Sequence, residues 1–159
     1  MTKVDQNFYL ILHNLRSAHN VGAIFRTAEA AQISKIVLSG YTPAPTDKYG
    51  RVNKEIKKTA LGAENYLNWE KVCSLGDYLR QLKNDKFSIL ALEQSSESVD
   101  YRAVSIKGST VMIVGNEKTG LDRRILNYCD LILEIPMKGK KESLNVATAV
   151  GIALFRLID

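Results

Sequence analysis

The sequence predicts an α/β fold, a mostly parallel sheet flanked by helices. Three observations carry this. Apolar runs of strand length recur at residues 8–12, 36–38, 87–92, 110–114 and 131–135. Segments with helical spacing or helix caps separate most of them. No linker, repeat or low-complexity stretch divides the chain, so residues 1–159 read as one domain. Strands that alternate with helices make a parallel sheet, because each parallel crossover needs a long connection.

Each element has a local reason. Residues 8–12 alternate and are β-rich, which predicts a strand. Val21, Ile24, Phe25 and Ala28 then follow at i, i+3, i+4 and i+7, the stripe of an amphipathic helix. Asn20 stands where the N-cap of that helix is expected. Residues 36–38 form a short buried strand that ends at Ser39-Gly40. Pro43, Pro45, Asp47 and Gly50 make residues 41–50 a loop. A short helix over residues 54–61 stops at Gly62, and Ser74 caps another over residues 75–83. Residues 123–128 give a short helix. The strand at residues 131–135 halts at Pro136, which cannot donate to a ladder. A loop carrying Lys138, Lys140 and Lys141 follows. Glu142-Ser143-Leu144-Asn145 then opens the last helix, residues 143–158, with Ser143 as cap or nearby donor and Asn145 in the first turn. That helix has almost no polar face, so burial on all sides is expected, part of it against a partner.

Composition narrows the function classes. Apolar content is 45% and charged content 25%, ordinary for a soluble globular protein. No apolar run is long enough to span a bilayer, and MTKVDQNF does not read as a signal peptide, so a cytoplasmic location is expected. Cys73 and Cys129 stand far from any ligand-spaced His or Cys, and no metal site is expected. The net charge is +5 and the isoelectric point about 9.2, which suits a polyanion. Cations concentrate at Lys48, Arg51, Lys54, Lys57 and Lys58 and again at Lys138, Lys140 and Lys141. Each cluster is either a solvated face or a phosphate contact. GNEKTG (residues 115–120) has the two glycines of a phosphate loop, but Leu121 and Asp122 follow where Lys and Ser or Thr are required, which argues against a nucleotide triphosphatase.

Three segments go further. HNVGAIFRTAEA (residues 19–30), VGNEKTGL (residues 114–121) and IPM followed by SLNVA (residues 135–147) stand in that order, each expected at a strand–helix junction. They resemble the three signatures of the SpoU (TrmH-type) RNA 2′-O-ribose methyltransferases of the SPOUT superfamily. The resemblance implies a single SPOUT methyltransferase domain, S-adenosyl-L-methionine as cofactor, a homodimer, no membrane partner, and tRNA or rRNA as substrate. It also implies a deep trefoil knot in the C-terminal part, against the general rule that chains stay unknotted.

The resemblance also implies roles. Leu92, Gly115, Asn116, Glu117, Ile135, Met137, Ser143 and Leu144 match cofactor-binding positions. Arg26, Asn20, Glu117, Ser143 and Asn145 match catalytic ones. From the residues alone, Arg26 is equally a surface partner for Glu29, Asn20 a helix cap and Glu117 a surface carboxylate. Gly115 is expected to let the backbone approach a ligand closely. An arginine keeps its proton at neutral pH. Arg26 is therefore expected to hold the RNA phosphate and stabilise the developing alkoxide, with a general-base role as the open variant. Lys54, Lys57, Lys58, Lys138 and Lys140 are expected to meet RNA together with Arg26. Seven residues precede the first expected strand, so RNA recognition is expected from the core, its loops and a second subunit rather than an N-terminal extension. The alternative is a catalytically inactive RNA-binding or assembly protein with the same fold.

Overall fold

The computed structural model describes residues 6–159. Their seven strands form one sheet: β1 (Phe8–His13), β2 (Lys35–Ser39), β3 (Trp69–Val72), β4 (Ser88–Leu92), β5 (Val99–Asp100), β6 (Thr110–Val114) and β7 (Leu131–Glu134). The spatial order is β3-β2-β1-β6-β4-β7-β5, and every pairing is parallel. The helices are α1 (Ala18–Ala30), α2 (Lys54–Ala60), α3 (Leu75–Asn84), α4 (Arg123–Leu126) and α5 (Val146–Ile158). The predicted α/β class and five predicted strands are present. Strands β3 and β5 were not expected.

Alternation along each strand divides the core in two. Leu10 and Leu12 face Ile24 and Phe25 of α1, Ile56 of α2 and Val150 and Leu154 of α5. Ile11 points the other way, into a cluster with Leu79 of α3, Ile113 and Ile125 of α4. A parallel sheet needs both faces covered, and all five residues of β6, at the sheet's centre, are buried.

Helix starts differ from expectation. The N-cap of α1 is Ser17, whose side chain accepts the Asn20 N–H at 3.1 Å. The helix begins a turn before its apolar stripe, which frees the Asn20 side chain for other work. In α5 the cap is Asn145, which accepts the N–H groups of Ala147 and Thr148 at 2.9 and 3.3 Å. Ser143 is exposed in the preceding loop.

Expected all-round burial of α5 is not met within one chain. Val150, Ala153, Leu154 and Leu157 face the core, but Ile152 and Phe155 are 39% and 43% exposed. With exposed Thr148 they form an i, i+4, i+7 stripe on the outside. Nearby, α2 lies close against α1 because Gly22 has no side chain: a Cβ there would strike the Thr59 hydroxyl and sit 2.5 Å from the Ile56 carbonyl. No helix among the described residues is long and apolar enough to cross a membrane.

Candidate functional site

Strands β6, β4 and β7 are neighbours and run the same way, so the loops leaving their C-terminal ends meet. This is where open parallel sheets hold ligands. Between those loops and the start of α5 lies a cavity of about 270 Å³. Leu92, Ile135, Met137 and Leu144 supply apolar wall; Glu93, Glu117 and Glu134 supply carboxylates.

The loop after β6 is held from within. The Asn116 side-chain oxygen accepts the N–H groups of Lys118 and Thr119, both at 2.9 Å, and the Asn116 carbonyl accepts Gly120 N–H at 2.9 Å. Gly120 has φ +67°, and a Cβ there would run into the Glu93 carboxylate. Gly115, which lines the cavity, also has an internal reason to be glycine. A Cβ would lie 2.6 Å from the Gly120 backbone, so the loop itself closes over this position. Across the cavity, Glu93 Oε2 accepts Leu121 N–H at 2.9 Å and fixes the loop to the end of β4.

Three side chains from distant parts of the sequence then join. Glu117 Oε2 accepts Arg16 N–H at 3.0 Å, and Oε1 accepts Ser17 N–H at 3.1 Å and the Asn20 amide at 3.4 Å. The Asn20 amide oxygen in turn accepts Asn145 Nδ2 at 3.1 Å. Asn145, Asn20 and Glu117 therefore form a hydrogen-bonded line along the cavity wall. Partial burial opposes ionisation of Glu117, but the backbone donors and Asn20 outweigh it and hold its pKa below the usual carboxylate value. The acid is thus a fixed anion that locks the first turn of α1.

Of the predicted site residues, Asn20, Leu92, Gly115, Asn116, Glu117, Ile135, Met137, Ser143, Leu144 and Asn145 all line this cavity. Arg26 does not. It is exposed in a separate groove with His19, Lys58, Leu61 and Phe155, and no ion pair joins it to Glu29 among the described residues. Lys54, Lys57, Lys58, Lys138 and Lys140 are exposed and also lie outside the cavity. Sequence reasoning missed Glu93 and Glu134. The available signal was a carboxylate at or just after the end of an apolar strand.

The model of the SpoU rRNA Methylase family matches residues 7–155. The chain belongs to that family. The 23S rRNA (guanosine-2'-O-)-methyltransferase RlmB of Xylella fastidiosa (strain 9a5c) is 34% identical over 153 residues, 96% of this chain and 59% of the relative. RlmB of Escherichia coli (strain K12) is 30% identical over 158 residues, 99% of this chain and 62% of the relative. The chain thus spans about three fifths of these relatives. The crystal structure of an AdoMet-bound rRNA methyltransferase from Sinorhizobium meliloti matches with a TM-score of 0.85 at 30% identity, over 94% of this chain and 55% of that one. The A. aeolicus TrmH/SpoU tRNA modifying enzyme matches with a TM-score of 0.83 at 31% identity, over 96% and 74%. In this SpoU family chain, each of the three signature segments gives one residue to the Asn20–Glu117–Asn145 line.

Proposed function

We propose that this chain transfers the methyl group of S-adenosyl-L-methionine to a ribose 2′-oxygen of tRNA or rRNA. One observation carries the reading: three family signatures converge through Asn20, Glu117 and Asn145 on a single cavity. The names of the relatives, and the AdoMet bound to the Sinorhizobium meliloti enzyme, support it.

The cavity fits the cofactor on its own chemistry. An adenine suits the apolar wall of Leu92, Ile135, Met137 and Leu144, and a positive sulfonium suits the carboxylates of Glu93, Glu117 and Glu134. When bound, the cofactor supplies an already activated methyl group. Gly115 and Asn116 shape the wall, and Ser143 offers a hydroxyl at the rim. Asn145 and Asn20 keep the line to Glu117 in register, so the site is positioned before substrate arrives.

Arg26 holds the phosphate and stabilises the developing alkoxide in this proposal, while the 2′-hydroxyl proton passes to water as the O–CH3 bond forms and the S–CH3 bond breaks. It stands six residues beyond Asn20, roughly 9 Å along the helix axis and on another face. A homodimer resolves the separation. If α5 of a second copy covers the Ile152–Phe155 stripe beside the Arg26 groove, Arg26 of one protomer completes the cavity of its partner. Lys54, Lys57, Lys58, Lys138 and Lys140 then contact the RNA backbone. The reading includes one SPOUT methyltransferase domain over residues 1–159, a cytoplasmic location and a deep trefoil knot. In support of the knot, β7 enters between β4 and β5, both laid down earlier in the chain.

Calorimetry with S-adenosylmethionine and its demethylated product tests the cavity, and ribose mapping of RNA from cells with and without the gene tests the reaction. Folded protein that binds neither compound would overturn the enzyme reading. Mixing Arg26→Ala with Asn145→Ala subunits tests the shared site. Each variant alone is expected to be inactive, and the mixture to regain activity through one intact composite site. No recovery, despite confirmed subunit exchange, sinks the trans arrangement.

A further inference from the structure

We propose that the hairpin between β2 and α2 stacks an unpaired RNA base on Tyr49, and so holds a nucleotide flanking the one that is methylated. This rests on the RNA reading above. The hairpin is fixed from inside. Thr46 and Val52 pair across it, Asp47 N–H donates to the Arg51 carbonyl at 3.0 Å, and Gly50 N–H to the Asp47 carbonyl at 3.0 Å. The Asp47 carboxylate accepts the N–H groups of Tyr49 and Arg51 at 2.9 and 3.0 Å and meets Arg51 Nε at 2.6 Å. Gly50, at φ +77°, makes the turn.

This scaffold holds the Tyr49 ring in water, 70% exposed. A large ring held out by so many internal bonds meets the need of an unpaired base, whose flat face stacks on aromatic side chains. The ring's setting favours a nucleic acid over a protein. Lys48 Nζ and Arg51 Cζ lie over the ring, 5.0 and 5.1 Å from its centroid, so a base that stacks there displaces an exposed cation, and the freed Lys48 ammonium can follow the adjoining phosphate. A groove under the hairpin adds Lys71 and Trp69. Its one carboxylate, Asp47, is already engaged by Arg51.

Position argues for a flanking nucleotide. The hairpin leaves the C-terminal end of β2, on the same edge of the sheet as the cavity. Two strand spacings, roughly 10 Å, separate β2 from β6. The root of the hairpin is tied to the cavity wall, since Asn116 Nδ2 donates to the Tyr41 hydroxyl at 2.9 Å. Tyr49 is therefore held beside the cavity and outside it.

The test is binding of a short single-stranded oligoribonucleotide of mixed sequence, and of its duplex, to the full chain across a salt series. Tyr49→Ala should weaken single-strand binding roughly tenfold, on the scale of losing one base–aromatic stack, and leave the salt slope unchanged. Tyr49→Phe and Tyr49→Trp should stay within about threefold of the wild type, and Tyr49→Leu should match alanine. Duplex binding should not respond to any of them. Equal single-strand affinity in wild type and Tyr49→Ala, or a Phe variant as weak as the Ala variant, overturns the stacking role. Wild type that binds neither strand form strikes instead at the RNA reading on which the role rests.

Discussion

The cavity and the outer face of α1 and α2 are built in opposite ways. At the cavity, Asn20, Asn116, Glu117 and Asn145 all spend their polar groups inside the chain. On the outer face, Arg26, Lys54, Lys57 and Lys58 have no side-chain partner among the described residues and stand in water. The first region presents a small ligand with a wall already set, which lowers the ordering cost of binding. The second carries free cations, which on the proposed reading would release counterions as a polyanion engages them. One region is set by internal hydrogen bonds, the other by unpaired surface charge.

The strongest way to break this contrast is Arg26→Ala. On the RNA substrate, methyl transfer is expected to fall at least ~100-fold while stability stays within about 0.5 kcal/mol and cofactor affinity barely moves. Arg26→Lys should not rescue it, because a point charge does not reproduce a planar fork of donors. Near-normal turnover in Arg26→Ala would place the arginine with the surface cations only.

Asn145→Ala should also lose methyl transfer but should differ from Arg26→Ala in stability and cofactor affinity. It removes the cap of α5 and the bond to Asn20 together, so thermal unfolding should report a loss of about 1 kcal/mol along with weaker cofactor binding. An unchanged melting temperature would mean the cavity wall is less fixed than its hydrogen bonds imply.

Neutralising Lys54, Lys57 and Lys58 to Gln should weaken RNA binding and lower the slope of log K against log salt by up to about 3, with cofactor affinity unaltered. A constant slope would make α2 a merely solvated face.

The smallest effect concerns acid. Glu117 has a folded pKa below its ordinary 4.5, so its contribution to stability is present above that value and fades as pH falls through the folded pKa. The stability gap between wild type and Glu117→Gln should accordingly be full near neutrality and shrink in acid below pH 4.5. A gap that widens in acid would reverse the sign assigned to this carboxylate.

Much of the fold was legible because apolar runs and helix stripes report burial directly. What escaped was shallow or edge-bound. Strand β3 reads Trp-Glu-Lys-Val and is half exposed, and β5 has two residues, so neither carries a strong pattern. The start of α1 is hard to place from sequence because its first turn, Ala18-His19-Asn20, lies off the apolar stripe, while Asn20 has the chemistry of a cap. The cavity residues could be named through the family signatures. Spacing alone did not reveal that Asn20 and Asn145, 125 residues apart, would touch. Helical spacing puts Arg26 and Asn20 on different faces of α1, but it does not say which of those faces meets the cavity. The outer stripe of α5 carries a similar ambiguity: hydrophobicity shows that a face wants cover, expected here in part from a partner, not which chain provides it.

The strand order carries a consequence for how the protein is made. Strand β6 sits between β1 and β4, and β7 between β4 and β5, so the middle of the sheet is completed by the last third of the chain. A nascent chain that has released β1 to β4 from the ribosome still lacks the strand that joins its two halves, and β1 waits about a hundred residues for β6. Until then the inner edges of β1 and β4 lie open, as templates for wrong pairing. Pairing over such separations is slow. Synthesis speed and chaperone protection of those open edges should therefore govern the yield of folded protein more than mutations on its finished surface do.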